Sequence, residues 1–261
     1  MLMARSETPA PESIIKKLSL FGGIPEAAIA LLPNAATIYQ VPLTLEERGI
    51  GEYVVKRLGL KAGKPDLKEW SSLVKSILKS HATTVRVGMV AKYLDNEDSY
   101  FSVVEALRAA AWEHDVAIEI SWINAEAIEK GKLSFKQIAE QVDGIIVPGG
   151  FGSRGIEGKI LAADWAMYNN IPYLGLCLGM QVAAIAAVRS TGVKDANSTE
   201  FNAKTPNPVI HTMQDQIGKE GTGGTMRLGD YECQLVKGTV AYKLYNKDAV
   251  HELLRHRYEF N

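Results

Sequence analysis

The sequence has few of the groups that metal sites, disulfide frameworks and membrane spans require. Its 261 residues include two cysteines, too few for a disulfide framework and without the spacing of a metal-ligand cluster. The formal net charge of -1 gives no electrostatic basis for binding nucleic acid or an anionic membrane surface. No apolar run reaches membrane-spanning length, and the N-terminus lacks a signal-peptide pattern. We therefore predict a cytoplasmic protein with no metal, nucleic-acid or membrane partner.

The hydrophobic content of 46% is enough for a substantial core, and the length allows one or two domains. The first 80 residues read as short elements. We expect a strand at residues 28–32, an extended segment at 37–42 and one helix over 43–58. A second helix is expected to begin at Asp66, with Glu69 completing a capping box.

From residue 85 the pattern changes to alternating strands and helices. Buried strands are expected at residues 85–91, 117–123 and 145–147, with helices between them. This βαβ alternation predicts an α/β fold with a doubly wound, mostly parallel sheet. Ligands bind such sheets outside the carboxyl ends of the strands.

The most informative motif is G-L-C-L-G at residues 175–179, here called the cysteine elbow. It lies between an expected strand and an expected helix, which is the arrangement of a nucleophile elbow. Glycines on both sides of Cys177 permit the crowded backbone that this turn needs. We expect the helix N-terminus to favour the thiolate form of Cys177. Cys233 has no such frame and is interpreted as a packing residue.

A second motif, P-G-G-F-G at residues 148–152, follows another expected strand and is called the glycine loop. Acyl transfer to a thiol places negative charge on a carbonyl oxygen, which backbone N–H groups stabilise. A Gly-Gly turn exposes such groups, and the amide of Leu178 would supply another. Because both motifs leave strands at the same sheet edge, they predict one catalytic site.

With their flanking residues, these motifs resemble those of the class I glutamine amidotransferases. Further blocks narrow the resemblance to the amidotransferase domain of the CTP synthase family. They are D-A-N-S-T-E-F at residues 195–201, G-G-T-M-R-L-G at 223–229 and R-H-R-Y-E-F-N at 255–261. Residues 37–42 resemble the end of that family's synthetase domain.

This resemblance implies two parts. Residues 85–261 would be an amidotransferase domain with the class I fold. Residues 1–80 would be a remnant of a second α/β domain, the synthetase domain, with a linker helix. The resemblance further implies that Cys177 attacks L-glutamine, forming a glutamyl thioester, and that the released ammonia converts UTP to CTP at the expense of ATP.

Site roles also follow from the resemblance alone. The carboxylate of Glu200 would hold the α-ammonium group of glutamine, and the guanidinium of Arg257 its α-carboxylate. Lys17 is a candidate contact for a pyrimidine nucleotide. The complete set that the resemblance places around glutamine, besides the nucleophile, is Gly150, Leu178, Gly179, Met180, Gln181, Glu200 and Arg257.

Two features of the family pattern are missing from the sequence. The family's catalytic base belongs to a His-Pro-Glu motif, and no such tripeptide occurs among the 261 residues. The phosphate-binding pattern G-x-x-x-x-G-K-S/T is also absent, so most of the family's site for ATP and Mg²⁺ is missing. We expect a chain cut at both ends, with impaired glutaminase activity. The full-length family forms homo-oligomers.

Other interpretations remain open at this point. The chain could be a short, catalytically degenerate relative that binds glutamine or assembles with full-length subunits. It could also be another cysteine hydrolase on the same sheet, which the blocks at residues 195–201 and 223–229 disfavour.

Overall fold

A computed structural model describes residues 1–92, 94, 97–219 and 226–261. Contacts between residues divide the chain into two units. The first unit comprises Met1–Thr83 and Arg108–Ala117, and the second comprises Thr84–Leu107 and Ile118–Asn261. The assignment of residues 1–80 and 85–261 to separate functional domains stays a prediction. Within the described ranges, no helix combines the length and apolar character needed to cross a membrane.

Strands and helices alternate over most of the chain. The strands are β1 Leu2–Ser6, β2 Ile29–Pro33, β3 Thr84–Ala91, β4 Ala117–Asn124, β5 Gly144–Val147, β6 Tyr173–Gly175, β7 Ala196–Ser198, β8 Asn207–Thr212, β9 Arg227–Gln234, β10 Ala249–His256 and β11 Tyr258–Phe260. The helices are α1 Ser13–Gly22, α2 Val41–Glu47, α3 Ile50–Arg57, α4 Lys68–Leu78, α5 Phe101–Glu113, α6 Ala125–Glu129, α7 Phe135–Ala139, α8 Ile156–Tyr168, α9 Leu178–Ser190 and α10 Val240–Tyr245.

In the first unit, β1 pairs in parallel with β2, and the ring of Tyr39 packs against two tryptophans. The Tyr39 and Trp112 rings meet edge to face with centroids 5.0 Å apart. The indole N–H of Trp70 donates to the Tyr39 carbonyl over 2.7 Å. These contacts fix α4, which carries Trp70, within the unit.

Three details of the first unit differ from the sequence prediction. The segment at residues 37–42 is not extended: a 3₁₀ turn at Ile38–Gln40 leads into α2, where proline is tolerated in the first turn. The single helix expected over residues 43–58 is two helices, because Gly49 adopts a left-handed conformation with φ of 70°. The capping box is also absent, since Asp66 accepts the N–H of Lys68 and α4 starts only there.

The second unit contains the predicted α/β sheet, with strand order β4-β3-β5-β6. Strand β5 pairs in parallel with both β3 and β6. The register places Val147 opposite Gly175, so β5 and β6 end side by side. Because the strand order changes direction between β3 and β5, the carboxyl ends of these strands form the crevice in which doubly wound folds bind ligands. The predicted fold class is confirmed.

Two further groups of strands complete the second unit. Strands β7 and β8 pair in parallel and β11 joins β8 antiparallel, while β9 and β10 form a separate antiparallel pair. The main core lies between the parallel sheet and helices α8 and α9. Helix α8 is buried over much of its circumference, and this includes a lysine, Lys159.

Candidate active site

The backbone at Cys177 has the strained geometry of a nucleophile elbow. Its φ is 53° and ψ is -106°, a conformation that L-residues rarely adopt. Cys177 lies directly before α9. The N–H of Gln181, in the first turn of that helix, donates to the Cys177 carbonyl over 3.2 Å. The turn therefore presents the thiol at the carboxyl end of β6.

The two glycines of the cysteine elbow are required by close packing. A β-carbon built on Gly175 would lie 2.5 Å from the backbone of Gly179 and Met180. One built on Gly179 would lie 1.8 Å from the carbonyl oxygen of Val147, the last residue of β5. Any side chain at either position would push the elbow away from the sheet.

The glycine loop lies against the elbow, because β5 and β6 are neighbours. A β-carbon on Gly149 would lie 3.3 Å from the β-carbon of Cys177 and 3.8 Å from its Sγ atom. Gly150 has a φ of 150°, which favours glycine, and its Cα faces the side chains of Lys92 and Leu178. The structure thus brings Gly150 and Leu178 together with the thiol.

Two charged side chains hold the glycine loop. The ammonium of Lys92, directly after β3, donates to the carbonyls of Phe151 over 2.5 Å and Gly152 over 3.1 Å. The N–H of Gly152 donates to Glu200 over 2.8 Å. Burial lowers the pKa of Lys92, and it raises the pKa of Glu200, although the Gly152 N–H and Lys92 oppose the latter shift. Lys92 was not among the predicted site residues.

A second lysine, also missed by the sequence analysis, lies beneath the loop. Lys159 is fully buried on α8, and its ammonium donates to the Pro148 carbonyl over 3.0 Å. Helical spacing contained a signal for it, because Lys159 follows the buried Ile156 by three residues and precedes the buried Ala163 by four. A lysine on the apolar stripe of a helix indicates either a buried charge or an error in the helix prediction.

The environment of Cys177 does not favour its thiolate overall. Burial raises the pKa of the thiol, and the charge of Glu200 raises it further. The Leu178 N–H, which hydrogen-bonds to the sulfur, and the charge of Lys159 lower it by less. The helix N-terminus favours the thiolate as expected, through the Leu178 N–H, but burial outweighs this contribution and the net shift of the pKa is upward. Among the described residues, no histidine contributes to this balance.

The remaining predicted residues fall into two groups. Gln181 is buried in the first turns of α9, and Met180, which follows Gly179 directly, is exposed there. Glu200 follows β7, and Arg257 lies between β10 and β11. Arg257 donates to the carbonyl of Lys219 over 2.7 Å.

The two charged residues of the predicted glutamine pocket both shift the pKa of Tyr258. Burial raises the pKa of the Tyr258 phenol, Glu200 raises it further and Arg257 lowers it. Glu200 and Arg257 therefore act on the same side chain, and Glu200 also acts on the thiol of Cys177. Residues 223–225 of the predicted block at 223–229 lie outside the described residues.

Lys17 belongs to the first unit, where it is exposed on α1. That unit has a cavity of about 400 Å³ whose lining includes Arg5, Asn34 and Thr44 but not Lys17. The guanidinium of Arg5 donates to the side chain of Asn34 over 3.0 Å.

Comparison with known proteins agrees with the motifs. The model of the family "Glutamine amidotransferase class-I" matches residues 95–261, and the model "CTP synthase N-terminus" matches residues 1–60. A CTP synthase from Caldanaerobacter subterraneus subsp. tengcongensis is 48% identical over 262 residues, covering 100% of this chain and 48% of the relative. A CTP synthase from Pyrococcus abyssi is 46% identical over 261 residues, again with 48% of the relative covered. The chain thus spans about half the length of the curated relatives it matches.

A solved structure shares the fold. It is the glutaminase domain of Trypanosoma brucei CTPS with bound acivicin, which is 38% identical and superposes with a TM-score of 0.60 over 68% of each chain. The family match covers the cysteine elbow, the glycine loop and both charged residues of the predicted glutamine pocket. The chain belongs to the class I glutamine amidotransferase family and, within it, to the CTP synthases.

Proposed function

We propose that the second unit hydrolyses L-glutamine, with Cys177 as the nucleophile. The observation that carries this proposal is that the strained cysteine elbow packs against the glycine loop. The β-carbon of Cys177 lies 3.3 Å from a β-carbon built on Gly149. The sulfur attacks the side-chain amide carbon, the C–N bond breaks, and ammonia leaves as a glutamyl thioester forms. Water then cleaves the thioester and releases glutamate.

Backbone and charged groups supply the binding side of this reaction. The amide of Leu178 and the backbone of Gly150 stabilise the oxyanion formed during attack. Glu200 holds the α-ammonium group, Arg257 the α-carboxylate, and Gln181 and Met180 line the pocket with Gly179. Glu200 already accepts the N–H of Gly152, which places the carboxylate beside the loop.

The proton on the thiol needs a base. Burial keeps the pKa of Cys177 above its usual value, and none of the described groups that shift it is a histidine. We therefore propose slow thioester formation by this chain. A chain that carries a His-Pro-Glu segment is expected to turn glutamine over about 10²- to 10⁴-fold faster, the usual contribution of a general base.

The second half of the reaction is proposed from the relatives alone. Their name assigns them CTP synthesis, so ammonia from glutamine would be used with UTP and ATP in an assembled, full-length homo-oligomer. The described residues contain no cluster of three or more histidine, cysteine, aspartate or glutamate side chains able to hold a metal. Nucleotide contact by Lys17 and a cytoplasmic location stay predictions.

Covalent labelling tests the glutaminase proposal. Incubation of the chain with a glutamine-analogue diazo-ketone is expected to modify Cys177 selectively, as located by peptide mass analysis. The label should be absent from Cys177→Ala and from Cys233 in every sample. A folded chain that takes up no label at Cys177 would contradict the proposal.

If Glu200 lies in the glutamine pocket, one substitution there should have different effects on the reactions of Cys177 with two reagents. Because the Glu200 charge raises the pKa of Cys177, Glu200→Gln should leave alkylation by neutral iodoacetamide unchanged or make it faster. The same substitution removes the partner of the α-ammonium group, so diazo-ketone labelling should slow by about tenfold or more. Both second-order rate constants are measured at one pH. Equal slowing of the two reagents would indicate general damage to the site instead.

A further inference from the structure

Lys159 is the most unusual side chain near the site that the proposed reaction does not use. Its exposed fraction is 0%, whereas lysines are almost never fully buried unless they are paired. Its ammonium donates to the Pro148 carbonyl over 3.0 Å. Among the described residues, the groups that act on its charge are Lys92 and Cys177.

The position is costly for a cation. Burial lowers the pKa of Lys159 to about 7, and the like charge of Lys92 acts in the same direction. Lys159 also lies near the N-terminus of α8, where the helix dipole disfavours positive charge. An apolar side chain would fill the same space without this cost, so packing alone does not account for an ammonium here.

The hydrogen bond of Lys159 leads directly to the thiol. Pro148 begins the glycine loop, and its carbonyl belongs to the peptide group that also carries the N–H of Gly149. Gly149 packs against the β-carbon and Sγ atom of Cys177. The charge of Lys159 in turn lowers the pKa of Cys177, whereas the charge of Glu200 raises it.

We propose that Lys159 is a positioning residue for the cysteine elbow: its buried ammonium anchors the first peptide of the glycine loop against Cys177 and stabilises the thiolate from beneath. This inference deepens the glutaminase proposal and rests on it. In this proposal, the positive charge that opposes the effect of burial on the thiol comes from Lys159 on the core helix α8. The helix N-terminus alone does not supply that charge.

The test is the pH dependence of iodoacetamide alkylation of the full chain, read by peptide mass analysis for each cysteine. In Lys159→Met, alkylation of Cys177 at pH 6, where most Lys159 of the unsubstituted chain is protonated, should slow by about five- to tenfold, whereas at pH 9, where Lys159 is neutral, the two rates should agree. Lys159→Gln keeps a hydrogen-bond donor without the charge and should slow alkylation at pH 6 in the same way. Cys233 is the internal reference, and Lys136→Met, which removes an exposed lysine on α7, should change neither profile.

An unchanged rate of Cys177 alkylation at pH 6 in a Lys159→Met chain with a native circular dichroism spectrum overturns the inference. The unsubstituted chain provides a second measurement that does not depend on the variants folding. Its Cys177 profile should contain an additional inflection near pH 7, where Lys159 loses its proton, and a single titration curve overturns the inference as well.

The two proposals fail separately. Alkylation by iodoacetamide reports thiol ionisation whether or not glutamine binds. A Lys159-dependent profile without diazo-ketone labelling would therefore reject the glutaminase proposal alone. Labelling with a profile independent of Lys159 would reject only the positioning role.

Discussion

Gly179→Ala is expected to abolish diazo-ketone labelling of Cys177 and to lower the free energy of unfolding by about 3 kcal/mol or more. The added β-carbon would lie 1.8 Å from the Val147 carbonyl oxygen, and backbone at the end of β5 cannot give way as a flexible side chain could. Relief requires α9 to move off the sheet, which displaces Cys177 from the glycine loop. Urea unfolding and peptide mass analysis measure the two effects.

Gly63→Ala is the matched control for this substitution. A β-carbon there would meet nothing within 4 Å, and the residue is exposed. Its unfolding free energy should change by less than about 1 kcal/mol, with labelling intact. Labelling of Gly179→Ala at the unsubstituted rate would show that the elbow does not depend on this close approach.

The second large effect is a rise in stability with pH that depends on Lys159. An unfolded lysine has a pKa near 10.5, and burial lowers that of Lys159 to about 7. Between these values the unfolded chain binds more protons than the folded one, so stability increases as pH rises. From pH 7 to pH 9 the contribution is about 2 kcal/mol.

The comparison is made by urea unfolding of the unsubstituted chain and Lys159→Met at both pH values. The variant should lose most of this rise and keep the smaller contribution of Lys92, whose pKa is also lowered by burial. The window stops at pH 9 because the raised pKa values of Cys177 and Tyr173 reverse the sign above it. Equal slopes in the two chains would mean that Lys159 is not a buried cation.

Local patterns predicted the parts of the site that depend on neighbours in sequence. The cysteine elbow could be recognised because glycines on both sides of Cys177 serve one turn, and the structure gives each a specific close contact. The adjacency of the elbow and the glycine loop followed from parallel strands ending at one edge.

Predictions were less successful where two local interactions compete for the same residues. The break at Gly49 interrupts a continuous helical pattern, because a left-handed residue ends one helix before the next begins. Asp66 satisfies the N–H of Lys68 and does not cap a helix that includes Glu69. Both alternatives are compatible with the same residue types, so the local pattern does not select between them.

The sequence by itself determined the glycine frame around the proposed nucleophile and the α/β alternation that carries it, because these follow from residues within one turn or one strand of each other. The charge environment of Cys177 was decided only by the tertiary structure. Lys92, Lys159 and Glu200 come from three distant segments, and their effects depend on how far folding removes each from water. Desolvation is a property of the packed core, so the sign of the thiol's pKa shift could not be obtained from the order of residues.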